Sequence, residues 1–191
     1  ALDDDCMTYS IGFRAPSRAE LISHWCDHLL DELVDDDRYG DPDLEPAANP
    51  GEIPPAALAR LHAMITERLA DRDAFARWFG SYTSAPKYPD LDWSPERPIT
   101  PAALRKRLAI DPGLRRNPAS RFAFVRQQDG TVLLFVDGDC MACDDAVAAF
   151  AQELCGNSQM TVAAASMQSA PVIDLIAGLL NRGCVALADE A

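Results

Sequence analysis

The sequence lacks any long apolar run, and it is short of basic charge. In its 191 residues no segment approaches the roughly eighteen consecutive apolar residues of a membrane-spanning helix. Its 17 Lys and Arg face 30 Asp and Glu, giving a formal net charge of -13, which argues against a general nucleic-acid binder and favours a basic partner. Because 48% of the residues are apolar, the chain is predicted to fold, as one ordinary domain or two small ones.

The patterns of several common catalytic sites are also missing. The sequence has no glycine-rich phosphate loop, no G-x-S-x-G turn, and no H-x-D with a distal histidine, which is the arrangement of a non-haem iron site. Its three histidines are His24, His28 and His62, and none of them precedes an acid by two residues. On residue chemistry alone, the isolated chain is predicted to be inactive, with no catalytic residue and no resident cofactor.

Two pairs of residues have the spacing of metal or redox sites. His24 and His28 lie four residues apart on a predicted helix, but on its polar face, which favours solvent-facing or interface histidines over metal ligands. Cys140 and Cys143 have the C-x-x-C spacing, but acidic neighbours oppose a thiolate and no second C-x-x-C follows. We therefore predict no metal site and reduced thiols.

Charge is spread unevenly along the chain. The segment from Asp27 to Glu52 contains ten acidic residues and one basic residue, Arg38. Residues 101–126 have the opposite balance, with Asp111 as their only acid and these bases: Arg105, Lys106, Arg107, Arg115, Arg116, Arg121 and Arg126. Each run is either a solvated surface or a surface that steers a partner. The candidate partner-contact residues are Asp35, Asp36, Asp37, Arg105, Lys106 and Arg107.

Periodicity, turns and caps predict the elements. Ser17-Arg18-Ala19-Glu20 is a capping box that starts a helix, and Thr100-Pro101 starts another. The predicted strands are residues 6–13, 122–127, 131–136 and 184–187, with turns at Asp129-Gly130 and Asp137-Gly138. The predicted helices begin at residues 17, 55 and 73, the third ending at about 80–84, and span 102–109, 144–155 and 172–181.

These elements predict an α+β fold. The first three helices form a helical unit whose surplus apolar surface indicates self-association, and in the second of them Leu58, Leu61, Ile65 and Leu69 form a buried stripe. Four prolines mark a boundary across 85–98, and the later order of helix, hairpin, helices and strand is typical of a winged helix. The strand at 6–13 has no nearby partner, so we expect it to complete a sheet that lies outside this sequence.

The N-terminal sequence carries a specific resemblance. Residues 9–16, Tyr-Ser-Ile-Gly-Phe-Arg-Ala-Pro, closely resemble the end of the catalytic jelly roll in bacterial JmjC-type, cupin-like ribosomal oxygenases, which are arginine hydroxylases of a large-subunit ribosomal protein. The likeness continues at 20–23, at the Asp-Pro-Asp turn of 41–43 and at Trp-Phe-Gly of 78–80. It implies three regions: 1–16, the last strand of a truncated jelly roll; 17–95, a helical dimerisation region; and 96–191, a winged-helix-like domain.

The resemblance also implies a function. In this family iron(II), held by two histidines and a carboxylate, and 2-oxoglutarate support arginine hydroxylation, and the iron ligands would precede residue 1 of this sequence. Thr8 and Ser10 would then either face the co-substrate pocket or act as spacers. The chain would form a homodimer in the cytoplasm and contact a basic ribosomal protein, with no membrane contact and no direct RNA binding. The alternative is a stand-alone acidic winged-helix adaptor that binds protein or nucleic acid.

Overall fold

A computed structural model of the chain describes residues 15–34, 38–43, 45 and 49–188. The chain divides into two compact units, of which the first ends at Asp71 and the second begins at Arg72. The predicted strand at 6–13, and with it the end of the jelly roll, lies outside the described residues.

The first unit contains two helices, α1 (Arg18–Glu32) and α2 (Pro55–Leu69). The predicted capping box starts α1: the Glu20 amide donates to the Ser17 hydroxyl at 3.1 Å, and the Ser17 amide donates to the Glu20 carboxylate at 2.7 Å. Pro55 occupies the first turn of α2, where its missing N–H costs no helical hydrogen bond. Both predicted helix starts are confirmed.

The apolar side chains of α2 do not lie as predicted. Leu58, Leu61, Ile65 and Leu69 are exposed in the single chain, Ile65 to 62%, so the predicted buried stripe is wrong. On α1, Trp25 and Leu29 are buried, whereas Ile22 and Leu30 are exposed. The helical spacing identified the apolar face correctly, but periodicity does not say whether that face is covered within one chain.

The second unit contains five helices and six strands. The helices are α3 (Arg72–Ser84), α4 (Pro101–Leu108), α5 (Asp145–Gly156), α6 (Ala164–Gln168) and α7 (Ala170–Asn181). The strands are β1 (Gly113–Arg116), β2 (Phe122–Arg126), β3 (Val132–Val136), β4 (Asp139–Cys143), β5 (Gln159–Thr161) and β6 (Val185–Leu187). The described chain is therefore a mixed α/β protein, with seven helices in all.

The six strands form two small antiparallel sheets. One has the order β5-β1-β6, in which Leu114 of β1 pairs with Met160 on one side and Leu187 on the other. The other is the meander β2-β3-β4. The predicted strands at the hairpin and after α7 are confirmed. The sequence analysis did not predict β1, β4, β5 or α6, which are all five residues or shorter and carry little periodicity.

Strand β3 is the centre of the second unit. All five of its residues are buried, because α3 and α5 both pack against the β2-β3-β4 sheet. Val132, Leu134 and Val136 join the main core together with Phe150 of α5, whereas Phe135 points to the other face and meets α3. A strand buried on both faces carries a continuous apolar run, as the Val-Leu-Leu-Phe-Val of β3 does.

Helix α3 lies close to this sheet. A β-carbon at Gly80 would overlap the ring of Phe135, so only glycine allows the helix to approach so closely. The buried Ser84 hydroxyl, which donates to the Gly80 carbonyl at 2.7 Å, accepts the amide of Gly138 in the β3–β4 turn at 3.2 Å. The prediction grouped α3 with the first two helices; the structure packs it against the second unit's sheet.

The turn between β3 and β4 follows the predicted pattern. Asp137 and Gly138 both have positive φ, 51° and 91°, as a two-residue hairpin of the primed type requires. Arg121, immediately before β2, fixes this turn because its amide donates to the Asp137 carboxylate at 2.7 Å. In the described part of the chain no helix is both long and apolar enough to cross a membrane.

The close approach at Gly80 gives a stability test. Gly80→Ala would force the new methyl group into the Phe135 ring, and overpacking of this kind costs about 1–3 kcal/mol of unfolding free energy. Gly178→Ala is the matched control: it lies in α7 with open space around it, so alanine is expected to stabilise the helix by about 0.5–1 kcal/mol. Urea unfolding measures both, and equal stability of the two variants would contradict the packing described.

Candidate functional site

A cleft of about 660 Å³ opens in the second unit between α4, β1, β6 and the segment before α4. Four arginine residues line it: Arg97, Arg107, Arg115 and Arg116. The lining residues include no Asp or Glu, although the whole chain carries a net charge of -13. We refer to this feature as the arginine cleft.

Strand alternation explains the orientation of Arg115. Its neighbour Leu114 is fully buried in the core, so Arg115 points to the opposite face of the β5-β1-β6 sheet. There it lies between Ala186 of β6 and Gln159 of β5 in the strand register. Ala186, which has a small side chain, lines the cleft beside Arg115.

Arg116 has a different role from Arg115. Its Nη1 donates to the carbonyl of Cys155 at 3.1 Å, and its guanidinium carbon lies 5.2 Å from the ring centroid of Phe122. These contacts connect β1 to the end of α5 and to β2. Arg116 is therefore held by the fold, with its side chain on the opposite face of β1 from Arg115.

Of the three basic residues predicted on α4, one lines the cleft. Arg107 lies one helical turn after Ala103, and both face the cleft, whereas Arg105 and Lys106 are exposed and do not line it. The basic run is visible in the sequence, but the direction in which each side chain points is not. Arg97 lies outside that run and was not predicted.

Two contacts fix the wall formed by the segment before α4. The Asn181 side chain accepts the Ile99 amide at 2.7 Å and donates to the Ile99 carbonyl at 3.0 Å. Gly183, at φ 70°, lies directly against the Trp93 carbonyl, where any side chain would overlap the backbone. The end of α7 therefore positions both ends of the segment that carries Arg97.

A second open cleft, of about 700 Å³, has the opposite charge. It lies between the end of β4 and the starts of α5 and α7, and its lining includes Asp144, Asp145 and Asp174. All three carboxylates are exposed. The lining of this cleft therefore differs in charge from that of the arginine cleft.

Several predicted site residues cannot be placed. Thr8 and Ser10, and the acidic residues Asp35, Asp36 and Asp37, lie outside the described residues, so their roles stay predictions. The described part of the acidic run includes Asp27, Asp31 and Glu32, which are exposed on α1.

The cysteine pair lies on β4. Cys140 is exposed and Cys143 is buried. Burial raises the pKa of the Cys143 thiol, and the nearby Asp144 carboxylate raises it further. Burial also raises the pKa of Cys184 to about 11. Since the thiolate is the reactive form, these environments favour unreactive packing roles for both buried thiols.

The histidine pair lies on α1. His28 Nε2 is 3.4 Å from the Glu32 carboxylate, and the His28 ring packs on Trp25 with a centroid distance of 5.4 Å. Across residues 15–34, 38–43, 45 and 49–188 no three His, Cys, Asp or Glu side chains are grouped to hold a metal ion. The described residues therefore do not fit an iron centre.

Comparisons with known proteins agree with this architecture. A family model described as ROXA-like winged helix matches residues 67–186, which begin at the end of α2 and include α3. The ribosomal protein uL16 3-hydroxylase of Escherichia coli strain K12 is 36% identical over 95 residues, which are 50% of this chain and 25% of that protein.

Solved structures give a longer match. The Escherichia coli ribosomal oxygenase YcfD, in complex with cobalt and succinic acid, superposes on 93% of this chain and 48% of its own, with a TM-score of 0.74 and 26% identity. The same enzyme with cobalt and 2-oxoglutarate matches with a TM-score of 0.73, again at 26% identity over 93% of this chain and 48% of its own. The chain thus spans about half the length of the solved relatives, and the family match over 67–186 shows that it belongs to the ROXA-like winged-helix family.

Proposed function

We propose that this chain is the C-terminal dimerisation and substrate-contact portion of an iron(II)- and 2-oxoglutarate-dependent ribosomal protein arginine hydroxylase. The observation that carries the proposal is the match of 93% of the chain to a ribosomal oxygenase solved with 2-oxoglutarate. The resemblance of residues 9–16 to the end of a catalytic jelly roll supports it independently. The iron site would belong to a catalytic domain upstream of residue 1.

The described residues would then bind and orient and would not perform the oxidation. They offer no metal-ligating group of three side chains, and burial raises the pKa of the Cys143 and Cys184 thiols. Iron and 2-oxoglutarate, bound in the catalytic domain, would supply the oxidising chemistry. This division leaves substrate capture and self-association to the present chain.

Charge supports contact with a basic ribosomal protein. The chain has a net charge of -13, and Asp27, Asp31 and Glu32 present exposed carboxylates on α1. Charge complementarity of this kind speeds encounter between a protein and its partner. A substrate of this type would place the enzyme in the cytoplasm, where ribosomal proteins are synthesised.

Helix α7 favours protein contact over nucleic-acid contact. Its sequence, Ala-Pro-Val-Ile-Asp-Leu-Ile-Ala-Gly-Leu-Leu-Asn, contains no basic residue, and six of its side chains are buried. Helix α4 packs against it and takes up part of its surface. A helix that reads nucleic acid needs cationic side chains to reach phosphates and bases. The alternative of a nucleic-acid adaptor therefore has less support than a protein-contact role.

The exposed apolar side chains of the first unit support a homodimer. Leu58, Leu61, Ile65 and Leu69 recur at helical spacing on one side of α2, and all are exposed in the single chain. Contiguous exposed apolar surface on a folded protein is typical of an interaction site. A second copy would cover this stripe in the proposed dimer.

The proposed activity predicts an oxygen transfer that a peptide assay detects. The intact protein, supplied with iron(II) and 2-oxoglutarate, is expected to add one oxygen atom to an arginine-containing peptide of ribosomal protein uL16, as measured by mass spectrometry. A peptide with lysine in place of arginine is the control and should stay unmodified. Unchanged peptide mass in all reactions would contradict the proposed function.

The dimer predicts a position-dependent effect of charge on α2. Ile65→Asp places a carboxylate in the exposed apolar stripe and is expected to convert the dimer to a monomer in size-exclusion chromatography with light scattering. Ala63→Asp introduces the same charge on the opposite side of the same helix, so that variant should stay dimeric. A monomeric wild type, or equal dissociation of the two variants, would contradict the interface.

Electrostatic steering predicts a salt-dependent Michaelis constant. Changing Asp35, Asp36 and Asp37 together to Asn in the intact enzyme should raise the KM for a basic substrate severalfold at low salt and much less at high salt. The same change at Asp144, Asp145 and Asp174, which lie in the second unit, is the matched control. Equal effects at both salt concentrations would exclude steering by the acidic run.

A further inference from the structure

We propose that the arginine cleft binds an acidic peptide segment that also carries an apolar side chain. This ligand differs in charge from the basic substrate of the proposed hydroxylase, and the inference does not depend on that function. It rests on the convergence of Arg97, Arg107 and Arg115 on one cleft of about 660 Å³ whose lining contains no acidic residue.

The positive charge of the arginine cleft is complementary to an acidic ligand. Three separate elements bring these arginines together: Arg97 comes from the segment before α4, Arg107 from α4, and Arg115 from β1. Ala103 and Ala186, which have small side chains, line the cleft together with these arginines. Planar guanidinium groups bind carboxylates with paired, charge-assisted hydrogen bonds.

The fold holds the walls of the arginine cleft in fixed positions. Arg115 stands on a strand that is paired on both sides, and the segment that carries Arg97 is fixed at Ile99 by both polar groups of the Asn181 side chain. A preformed site loses less free energy on ordering when a ligand binds.

The apolar part of the cleft decides between peptide and nucleic acid. Its lining includes Trp93, Pro95, Pro98 and Ile99, a mostly aliphatic surface with one aromatic ring. Single-stranded nucleic-acid sites instead interleave several aromatic rings with basic residues, so that successive bases can stack. The cleft volume of about 660 Å³ lies within the range of about 300–1,000 Å³ typical of ligand sites.

The position of the cleft suits an extended segment. Strand β6, all of whose residues line the cleft, is an edge strand of the three-stranded sheet that the structure describes. Extended peptides commonly bind beside such edges, where pockets accept alternate side chains. Two acidic residues of such a segment would then meet the arginines. The apolar residue between them would contact the apolar surface.

Fluorescence anisotropy with the 191-residue chain tests the proposal. The probe is a fluorescein-labelled peptide of sequence Glu-Leu-Asp-Phe-Glu, and we expect saturable binding that weakens as salt is raised. Arg97→Gln and Arg115→Gln should each weaken binding about tenfold, whereas Arg115→Lys should restore part of the affinity. Arg105→Gln, on the same helix as Arg107 but outside the cleft, should change it less than about twofold.

Two further ligands distinguish binding of an acidic peptide from binding of any peptide or of RNA. A Lys-Leu-Lys-Phe-Lys peptide should not bind, and a labelled single-stranded oligouridine RNA should bind more weakly than the acidic peptide. Thermal unfolding checks that each variant is folded. Because Arg97 lies in an exposed segment, the Arg97→Gln variant still tests the proposal if the Arg115 variants of β1 unfold. Absence of acidic-peptide binding, an equal loss in Arg105→Gln, or tighter RNA binding through Arg97 and Arg115 would each overturn the proposal.

Discussion

The burial of β3 on both faces is the constraint on which the second unit depends. A strand with two apolar faces needs a layer on each side, and here α3 and α5 provide those layers. The close approach of α3 requires glycine at position 80, and the Ser84 hydroxyl then connects the end of the helix to the β3–β4 turn. The same turn positions Asp139, whose carboxylate lies 2.7 Å from the guanidinium group of Arg182, the residue after α7.

A series of contacts connects the core of the second unit to the arginine cleft. Arg182 also donates to the Val136 carbonyl at 3.1 Å, so the end of α7 is held against the end of β3. The neighbouring Asn181 and Gly183 then position the segment that forms one wall of the cleft. The core and the basic surface are therefore coupled through three consecutive residues, Asn181, Arg182 and Gly183.

Much of the fold could be predicted from the sequence because its signals are local. The capping box at Ser17, the prolines at the starts of α2 and α4, and the Asp137-Gly138 turn each act within a few residues, and each prediction is confirmed. The short strands β1 and β5 escaped prediction, since pairing partners distant in sequence define them. The exposure of Leu58 and Ile65 also escaped, because helical periodicity marks an apolar face without saying what covers it.

The candidate site also combines features that are visible in the sequence with features that depend on the fold. The basic run at 105–116 is visible in the sequence, but strand alternation and a guanidinium–carbonyl bond separate Arg115 from Arg116, two adjacent and chemically identical residues. Arg97 lies in the same cleft as Arg115 only because of the path of the chain before α4. A count of charges along the sequence therefore identifies a basic region, whereas the surface that it forms depends on the fold.

The order of strands in the sheet β5-β1-β6 has a consequence for biosynthesis. The central strand β1 leaves the ribosome first, while its two neighbours follow α5 and α7 respectively. Until those later segments emerge, the hydrogen-bonding edges of β1 have no partner from their own sheet, and the nascent chain exposes them to other chains. The brevity of β1, four residues, limits that exposure during translation.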